Sequence, residues 1–320
     1  MSESSAVEGR EIRIIEISEP HDRERVDAAL AAALNLSRSS VSHLIEAGEV
    51  RRKGKALAKS DRVNVGEKIE ILMPAEKAEP ALTSTPIEEL KVIYNDDHII
   101  VIDKPAGIAA HPSPGWTGAT VIGAIIGAGY NVSTSGAAER QGIVHRLDVG
   151  TTGLMVVAKD EKSYTSLKDQ FRERTVSKVY HALAPGHMDP AEGTIDAPID
   201  RHPREDYRFA VVADGKPSIT HYKALEYFPA VTLLEIELET GRTHQIRVHF
   251  SALHHPLVGD LTYGADPALA QSLKIARPWL HAKKLSLTHP ISGELLHFES
   301  PYPADLTRSL AQLEANNHAI

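Results

Sequence analysis

One carboxylate, Asp148, lies in a short polar turn between two apolar runs, and this setting makes it the first candidate for chemistry in the chain. Gly150 and Gly153 permit the tight backbone geometry that such a turn demands. The run that follows, 154–158, is apolar without alternation, which is typical of a buried central strand. A carboxylate held at the mouth of a buried strand can act as a base or a nucleophile. An ordinary loop aspartate would only cap the turn.

The elements around this turn predict an α+β catalytic domain over residues 90–320. Apolar strands are separated by short helices, of which 161–174 is amphipathic. The predicted strands cover residues 92–94, 99–102, 154–158, 178–184, 218–225, 231–238 and 284–287.

Three segments precede this domain. Residues 1–21 are predicted to form a flexible tail that ends in an edge strand, because isoleucines alternate between 12 and 17. Residues 22–74 are predicted to form a small domain with two short helices and a basic β-loop. Six of the ten Lys and Arg residues of this domain fall within 51–62. Residues 75–89 are rich in proline and charge, which is typical of a linker.

Composition excludes several classes of protein. The chain has no cysteine, so disulfides, cysteine-based zinc sites and thiol catalysis are ruled out. Its 17 histidines show no metal-ligand spacing, so no metal site is expected. The net charge of −8 argues against nonspecific polyanion binding, although local patches decide where phosphates dock. Without a membrane-length apolar run or a signal core, the protein is expected to be soluble and cytoplasmic.

Four blocks in the chain resemble, in order, the motifs of the RluA/RluD family of pseudouridine synthases. They are DKPAG at 103–107, HRLDVGTTGL at 145–154, VYHAL at 179–183 and TGRTHQIRVH at 240–249. The resemblance implies a large, mostly antiparallel sheet with the active cleft across its middle. The segment 22–74 similarly resembles an S4-type RNA-binding domain.

The resemblance also implies the activity, which is the isomerisation of uridine to pseudouridine in structured RNA. The reaction breaks the N-glycosidic bond, turns the uracil and joins its C5 to the ribose, so neither a cofactor nor a metal is expected. S4-type domains are common in family members that act on large-subunit ribosomal RNA, so that RNA is the expected partner, and the protein is expected to be a monomer. Transfer RNA stays open as the substrate, as does a non-catalytic RNA-binding role in ribosome assembly.

The resemblance assigns roles to individual residues. Asp148 is the catalytic carboxylate, with base and nucleophile both open. Arg247 pairs with it and favours its ionised form, although the same arginine on its own would be taken for a helix surface residue. Tyr180 contacts the uracil, and Ile246 forms part of the apolar wall around the base.

Further residues are expected to bind the RNA. Arg146 is expected to fill the space that the flipped uridine vacates. The other predicted substrate-binding residues are His145, Leu147, Thr152, His244 and Gln245. In the S4-type segment, the predicted RNA-binding residues are Arg38, Arg51, Arg52 and Lys53.

Overall fold

The computed structural model describes residues 3–7, 10–34, 38–73, 90–113, 116–137, 140–205 and 207–317. The chain divides into two compact units, Met1–Glu79 and Pro80–Ile320. The predicted linker, 75–89, lies outside the described residues.

The N-terminal unit contains two helices and a sheet. The helices are α1 (Val26–Leu34) and α2 (Arg38–Glu46), and the strands are β1 (Glu3–Val7), β2 (Arg10–Glu16), β3 (Val50–Arg52), β4 (Lys55–Ala56) and β5 (Lys68–Leu72). The described strands lie in the order β1-β2-β5-β3-β4. Val26 and Leu30 from α1 pack with Val41 from α2 against Ile69 and Ile71 of β5, because these apolar side chains recur on one face of each element.

The prediction of an edge strand near residues 12–17 was wrong. These residues belong largely to β2, which pairs antiparallel with β1 on one side and with β5 on the other. The isoleucine alternation correctly predicted a strand. The sequence of β1, ESSAV, has too few apolar residues to predict a second strand beside it.

The second unit is built on a large sheet. Its strands are β6 (Lys91–Asn95), β7 (Ile99–Lys104), β8 (Thr152–Ala158), β9 (Ser177–Pro185), β10 (Glu192–Asp196), β11 (Ile199–Arg201), β12 (Phe209–Val211), β13 (Ile219–Phe228), β14 (Val231–Leu238), β15 (Leu280–Thr288) and β16 (Leu295–Glu299). Its helices are α3 (Val121–Gly127), α4 (Glu161–Glu173), α5 (Gln245–Ala252), α6 (Pro267–Ser272) and α7 (Ala304–Asn317).

Within the described part of the chain, the sheet runs β10-β13-β14-β9-β15-β8-β7-β6, with β16 added to β15 and β11 paired separately with β12. Its neighbouring strands are antiparallel except for β15 and β8, which are parallel. The predicted α+β class with a mostly antiparallel sheet is therefore confirmed.

Both faces of this sheet are buried. Successive strand residues point to opposite faces, so Met155 and Val157 of β8 pack in the cluster that includes Phe250 of α5, while Leu154 and Val156 pack with Leu167 of α4. All residues of β8 are buried, which explains its unbroken apolar sequence.

Gly153 allows β8 to lie close to β15. It pairs with Ala282 and has a φ of +111°, a conformation that disfavours side chains. A Cβ atom at this position would lie 2.3 Å from the Ala282 carbonyl oxygen. The strand that follows the Asp148 turn therefore requires glycine here.

Over the described ranges, no helix combines the length and the apolar character needed to cross a membrane.

Candidate active site

The turn that carries Asp148 lies just ahead of β8 and is fixed through its backbone. The Thr151 amide donates to the Asp148 carbonyl at 3.0 Å and closes the turn. Arg277 donates through Nη1 to the Gly150 carbonyl, also at 3.0 Å. These contacts set the direction in which the Asp148 side chain leaves the turn.

Lys104, at the end of β7, is fully buried against the same turn. Its Nζ donates to the Pro105 and Ile108 carbonyls at 2.9 and 3.0 Å and reaches the Val149 carbonyl at 3.4 Å. Burial lowers the pKa of Lys104 to about 7, although the nearby charge of Asp148 raises it. The lysine therefore ties the end of β7 to the Asp148 turn.

Arg247, buried on α5, joins two carboxylates. It holds Asp260 in a bidentate pair, with Nε to Oδ2 at 2.6 Å and Nη2 to Oδ1 at 2.9 Å. Its Nη1 donates to Oδ2 of Asp148 at 3.3 Å. Burial alone would lower the pKa of Arg247, but Asp260 and Asp148 outweigh burial and raise it. None of the described residues donates to Oδ1 of Asp148, so that oxygen is available to a substrate.

His244 approaches the Oδ2 atom of Asp148 as well, with Nε2 at 3.9 Å. Its Nδ1 lies 2.8 Å from the Tyr263 hydroxyl, and that hydroxyl oxygen accepts the Phe209 amide at 3.1 Å. Because the hydroxyl oxygen accepts the amide proton, its own proton is available to Nδ1, and we assign the imidazole proton to Nε2. Burial lowers the pKa of His244, which favours this neutral ring facing Asp148.

Apolar side chains form one wall of the open cleft around Asp148. Tyr180 on β9 is buried, and Ile246 and Leu147 line the cleft beside it. Burial and the charge of Asp148 raise the pKa of Tyr180, so its hydroxyl stays protonated. The cleft thus combines an ionisable carboxylate with an apolar wall and a neutral phenol, which suits a flat, uncharged ring next to a reacting sugar.

The structure brings most of the predicted site residues to this cleft. Those that line it are Asp148, Tyr180, Arg247, Ile246, Arg146, Leu147, His244 and Gln245. The amide of Gln245 is already engaged, since its oxygen accepts from Thr240 and its nitrogen donates to the Ile219 carbonyl and to Thr220. Gln245 therefore braces the start of α5 rather than offering free groups to a substrate.

Two predicted substrate-binding residues do not line the cleft. Thr152 points to the opposite side from Thr151 because side chains alternate along an extended strand, and its hydroxyl bonds to His281 Nδ1 at 2.9 Å. His145 stacks on Phe171, with ring centroids 4.6 Å apart, and its Nε2 accepts the Val156 amide at 3.0 Å. His145 lines the neighbouring cavity instead, and the prediction that these two residues bind substrate stays a prediction.

The four predicted RNA-binding residues of the N-terminal unit differ in whether they form ion pairs within the unit. Arg38 pairs with Asp27 at 3.0 Å, and Arg52 pairs with Glu67 at 2.8 Å. The remaining two are exposed at the hairpin between β3 and β4; they are Arg51 and Lys53.

Sequence reasoning assigned no role to Asp260, Lys104 or Tyr263. No local signal existed for Asp260 or Tyr263, because their contacts with Arg247 and His244 depend on tertiary packing. Where the structure is described, no group of three or more His, Asp or Glu residues is arranged to hold a metal ion.

Comparisons with known proteins agree with this site. A family model described as RNA pseudouridylate synthase matches residues 98–252. A relative in Mycobacterium bovis, named as an uncharacterized RNA pseudouridine synthase, is 54% identical over 89% of this chain and 93% of its own length. A Nitrosomonas europaea relative named ribosomal large subunit pseudouridine synthase D is 43% identical over 92% of this chain and 86% of its own length.

A solved structure is similar as well. The human RNA pseudouridylate synthase domain containing 1 protein superimposes with a TM-score of 0.57 at 28% identity. The match covers 74% of this chain and 97% of the human chain.

Replacing Asp260 by Asn should strongly destabilise the second unit. The change leaves Arg247 buried with its bidentate partner lost, and breaking a buried ion pair costs about 3–5 kcal/mol. The control is Asp305→Asn, because Asp305 holds Arg277 in the same bidentate geometry but is more exposed. Its free energy of unfolding should fall by only about 1 kcal/mol. Equal losses in urea titrations of the two variants would contradict the role given to burial.

The stability contribution of Lys104 should depend on pH. Because its folded pKa, about 7, lies below its ordinary value of 10.5, the unfolded state binds more protons between these values. The free energy of unfolding of the wild type should therefore rise with pH across this window, relative to Lys104→Met. The measurement is urea unfolding of both proteins at several pH values from 7 to 10.5. Parallel curves would show that Lys104 does not titrate there.

Proposed function

The chain belongs to the RNA pseudouridylate synthase family, and from that premise we propose that it converts uridines of large-subunit ribosomal RNA to pseudouridine, with Asp148 as the catalytic carboxylate. The observation that carries the assignment is the geometry of Asp148. Arg247 donates to its Oδ2 atom, no described residue donates to Oδ1, and Asp148 lines a cleft together with Tyr180.

The proposed chemistry needs little beyond these groups. The bond between C1′ and N1 breaks, C1′ then bonds to C5, and the proton leaves C5 while N1 regains one. Positive charge develops at C1′ as the glycosidic bond breaks, and a carboxylate at that point can stabilise it, attack it or remove a sugar proton. Tyr180 and Ile246 supply an apolar surface on which the detached uracil can turn.

The uridine must leave its stack in the RNA before it can reach Asp148. Flipping costs a few kcal/mol, which contacts with the protein must offset. Arg146 is exposed at the rim of the cleft and forms no ion pair with any described residue. We assign it to the space that the flipped base leaves behind, where a planar guanidinium can stack and donate hydrogen bonds.

The choice of ribosomal RNA is supported by the relatives named ribosomal large subunit pseudouridine synthase D, which cover most of this chain. The same premise supports action in the cytoplasm. We also propose that the protein acts as a monomer, since the RNA supplies the partner surface. A transfer RNA substrate is the alternative that the experiment below separates.

We assign the N-terminal unit, whose pattern resembles an S4-type domain, to RNA binding outside the cleft. Two of the four predicted arginine and lysine residues support this assignment best. Arg51 and Lys53 are exposed at the hairpin between β3 and β4, and no described carboxylate pairs with them. Arg38 and Arg52 would have to give up ion pairs within the unit to bind phosphate.

Asp148→Asn should reduce pseudouridine formation at least about a thousandfold, because it removes the charge of the reacting group. RNA affinity should stay within a few fold, since the side chain keeps its shape. The measurement maps pseudouridines in unmodified large-subunit ribosomal RNA and in unmodified transfer RNA after incubation with the wild type or the variant. Equal activity of the two proteins would refute the assignment of Asp148. Modification of transfer RNA alone would refute the proposed substrate.

Replacing both Arg51 and Lys53 by Gln should weaken binding of ribosomal RNA by several fold, because exposed cations contribute to binding through phosphate contacts. The matched control replaces Lys162 and Lys223, which are exposed on α4 and β13, by Gln. Affinities are measured by filter binding at fixed salt. An unchanged affinity of the first variant would remove the hairpin from the RNA interface.

A further inference from the structure

A second cavity adjoins the Asp148 cleft and is larger than the cleft. The two share Arg146, Tyr180 and Arg242 in their lining, so a chain bound in one can continue into the other. We call the second cavity the basic groove and define it by Arg146, Phe171, Arg172, Arg174, Lys178 and Arg242.

Positive charge dominates the basic groove although the chain as a whole carries −8. Glu239 is the one carboxylate among the described residues of its lining, and it lies 3.5 Å from Arg174. Arg172 pairs with Asp169 at 2.8 Å. Such a local excess of cations attracts polyanions regardless of the net charge.

Lys178 is the most informative of these cations. It is half-buried on β9, and no carboxylate of the described residues lies within ion-pair distance. Its ammonium lies 6.0 Å from the centre of the Phe171 ring. Burial, followed by the charge of Arg174, lowers the pKa of Lys178. A partly desolvated ammonium without an anion is unfavourable, and a bound anion would relieve this cost.

The neighbouring ring of His145 does not add to this positive charge. Burial and the charge of Lys178 lower its pKa to about 3, so the ring is neutral. It stacks on Phe171 with an interplanar angle of 19°, and its Nε2 accepts the Val156 amide. The stacked pair forms an apolar surface beneath the ammonium of Lys178.

The position of Lys178 relates it to the reacting nucleotide. Lys178 and Tyr180 are two residues apart on β9, so their side chains lie on the same face of the strand, about 7 Å apart along it. This separation is comparable to the span of one nucleotide in an extended strand.

We infer that the basic groove binds a single-stranded stretch of the substrate RNA next to the flipped uridine, with Lys178 and Arg242 on the adjacent phosphate. The inference rests on the proposed function, because it places the reacting uridine at Asp148. It assigns sequence-independent affinity to this groove, and leaves recognition of the base to the cleft.

The test measures binding of a short unstructured RNA that contains uridine, by fluorescence anisotropy over a range of salt concentrations. Lys178→Met should weaken binding about tenfold at low salt, the effect of losing one charged hydrogen bond. It should also reduce the slope of log Kd against log salt by about 0.7, the value for one phosphate contact on a single strand. Lys178→Arg should keep the slope of the wild type.

Two more variants complete the test. Arg242→Gln should lower the slope in the same way, and because Arg242 is exposed the variant tests the groove even if Lys178→Met folds poorly. Lys223→Met is the matched control, since Lys223 is exposed on β13 and does not line the groove. The inference would be overturned if Lys178→Met and Arg242→Gln kept the salt slope of the wild type. It would also be overturned if Lys223→Met lost as much RNA affinity as Lys178→Met.

The binding experiment requires no turnover, so its failure is distinct from failure of the proposed function. If the function holds, the RNA concentration for half-maximal pseudouridine formation should rise in Lys178→Met by the same factor as Kd. Kd could instead rise without a rise in the RNA concentration for half-maximal pseudouridine formation. The groove would then bind RNA that does not lead to the reacting uridine, and the inference would be overturned.

Discussion

The proposed catalytic centre depends on one buried arginine. A guanidinium inside a protein must be paired with an anion. Arg247 forms ion pairs with two carboxylates, which bind different nitrogen atoms of its guanidinium. Asp260 binds through both of its oxygens and neutralises most of the charge. Asp148 receives the remaining Nη1 contact through one oxygen only. The second carboxylate thus lets the first remain attached and still have an oxygen free for chemistry.

The sheet and its turns serve this arrangement by bringing distant segments to Arg247. Helix α5 is buried against the sheet, so the guanidinium emerges where β8 begins. Lys104 and Arg277 hold the backbone of the Asp148 turn through its carbonyl groups. Basic side chains therefore hold both the backbone of the turn, at Val149 and Gly150, and the carboxylate of Asp148.

Much of the site could be predicted from the sequence because its signals are local. Asp148 stands in a short motif before an apolar run, and Arg247 follows from a second motif. Features that arise from packing could not be predicted in this way. Thr152 and Thr151 are adjacent and alike, yet only the sheet decides which one faces the cleft. The role of Asp260 similarly depends on a contact with α5 that no local pattern encodes.

The parallel pairing of β8 with β15 makes the surroundings of Asp148 depend on a segment that is synthesised long after the Asp148 turn. Thr152 and His281, which bond across this pair, are 129 residues apart, and Arg277 reaches back over a similar length to Gly150. Chains are synthesised from the amino end and non-local contacts form slowly. A nascent chain therefore presents Asp148 before Arg247, Asp260 and Arg277 have been made, and it gains their contacts only after the segment through β15 has been synthesised.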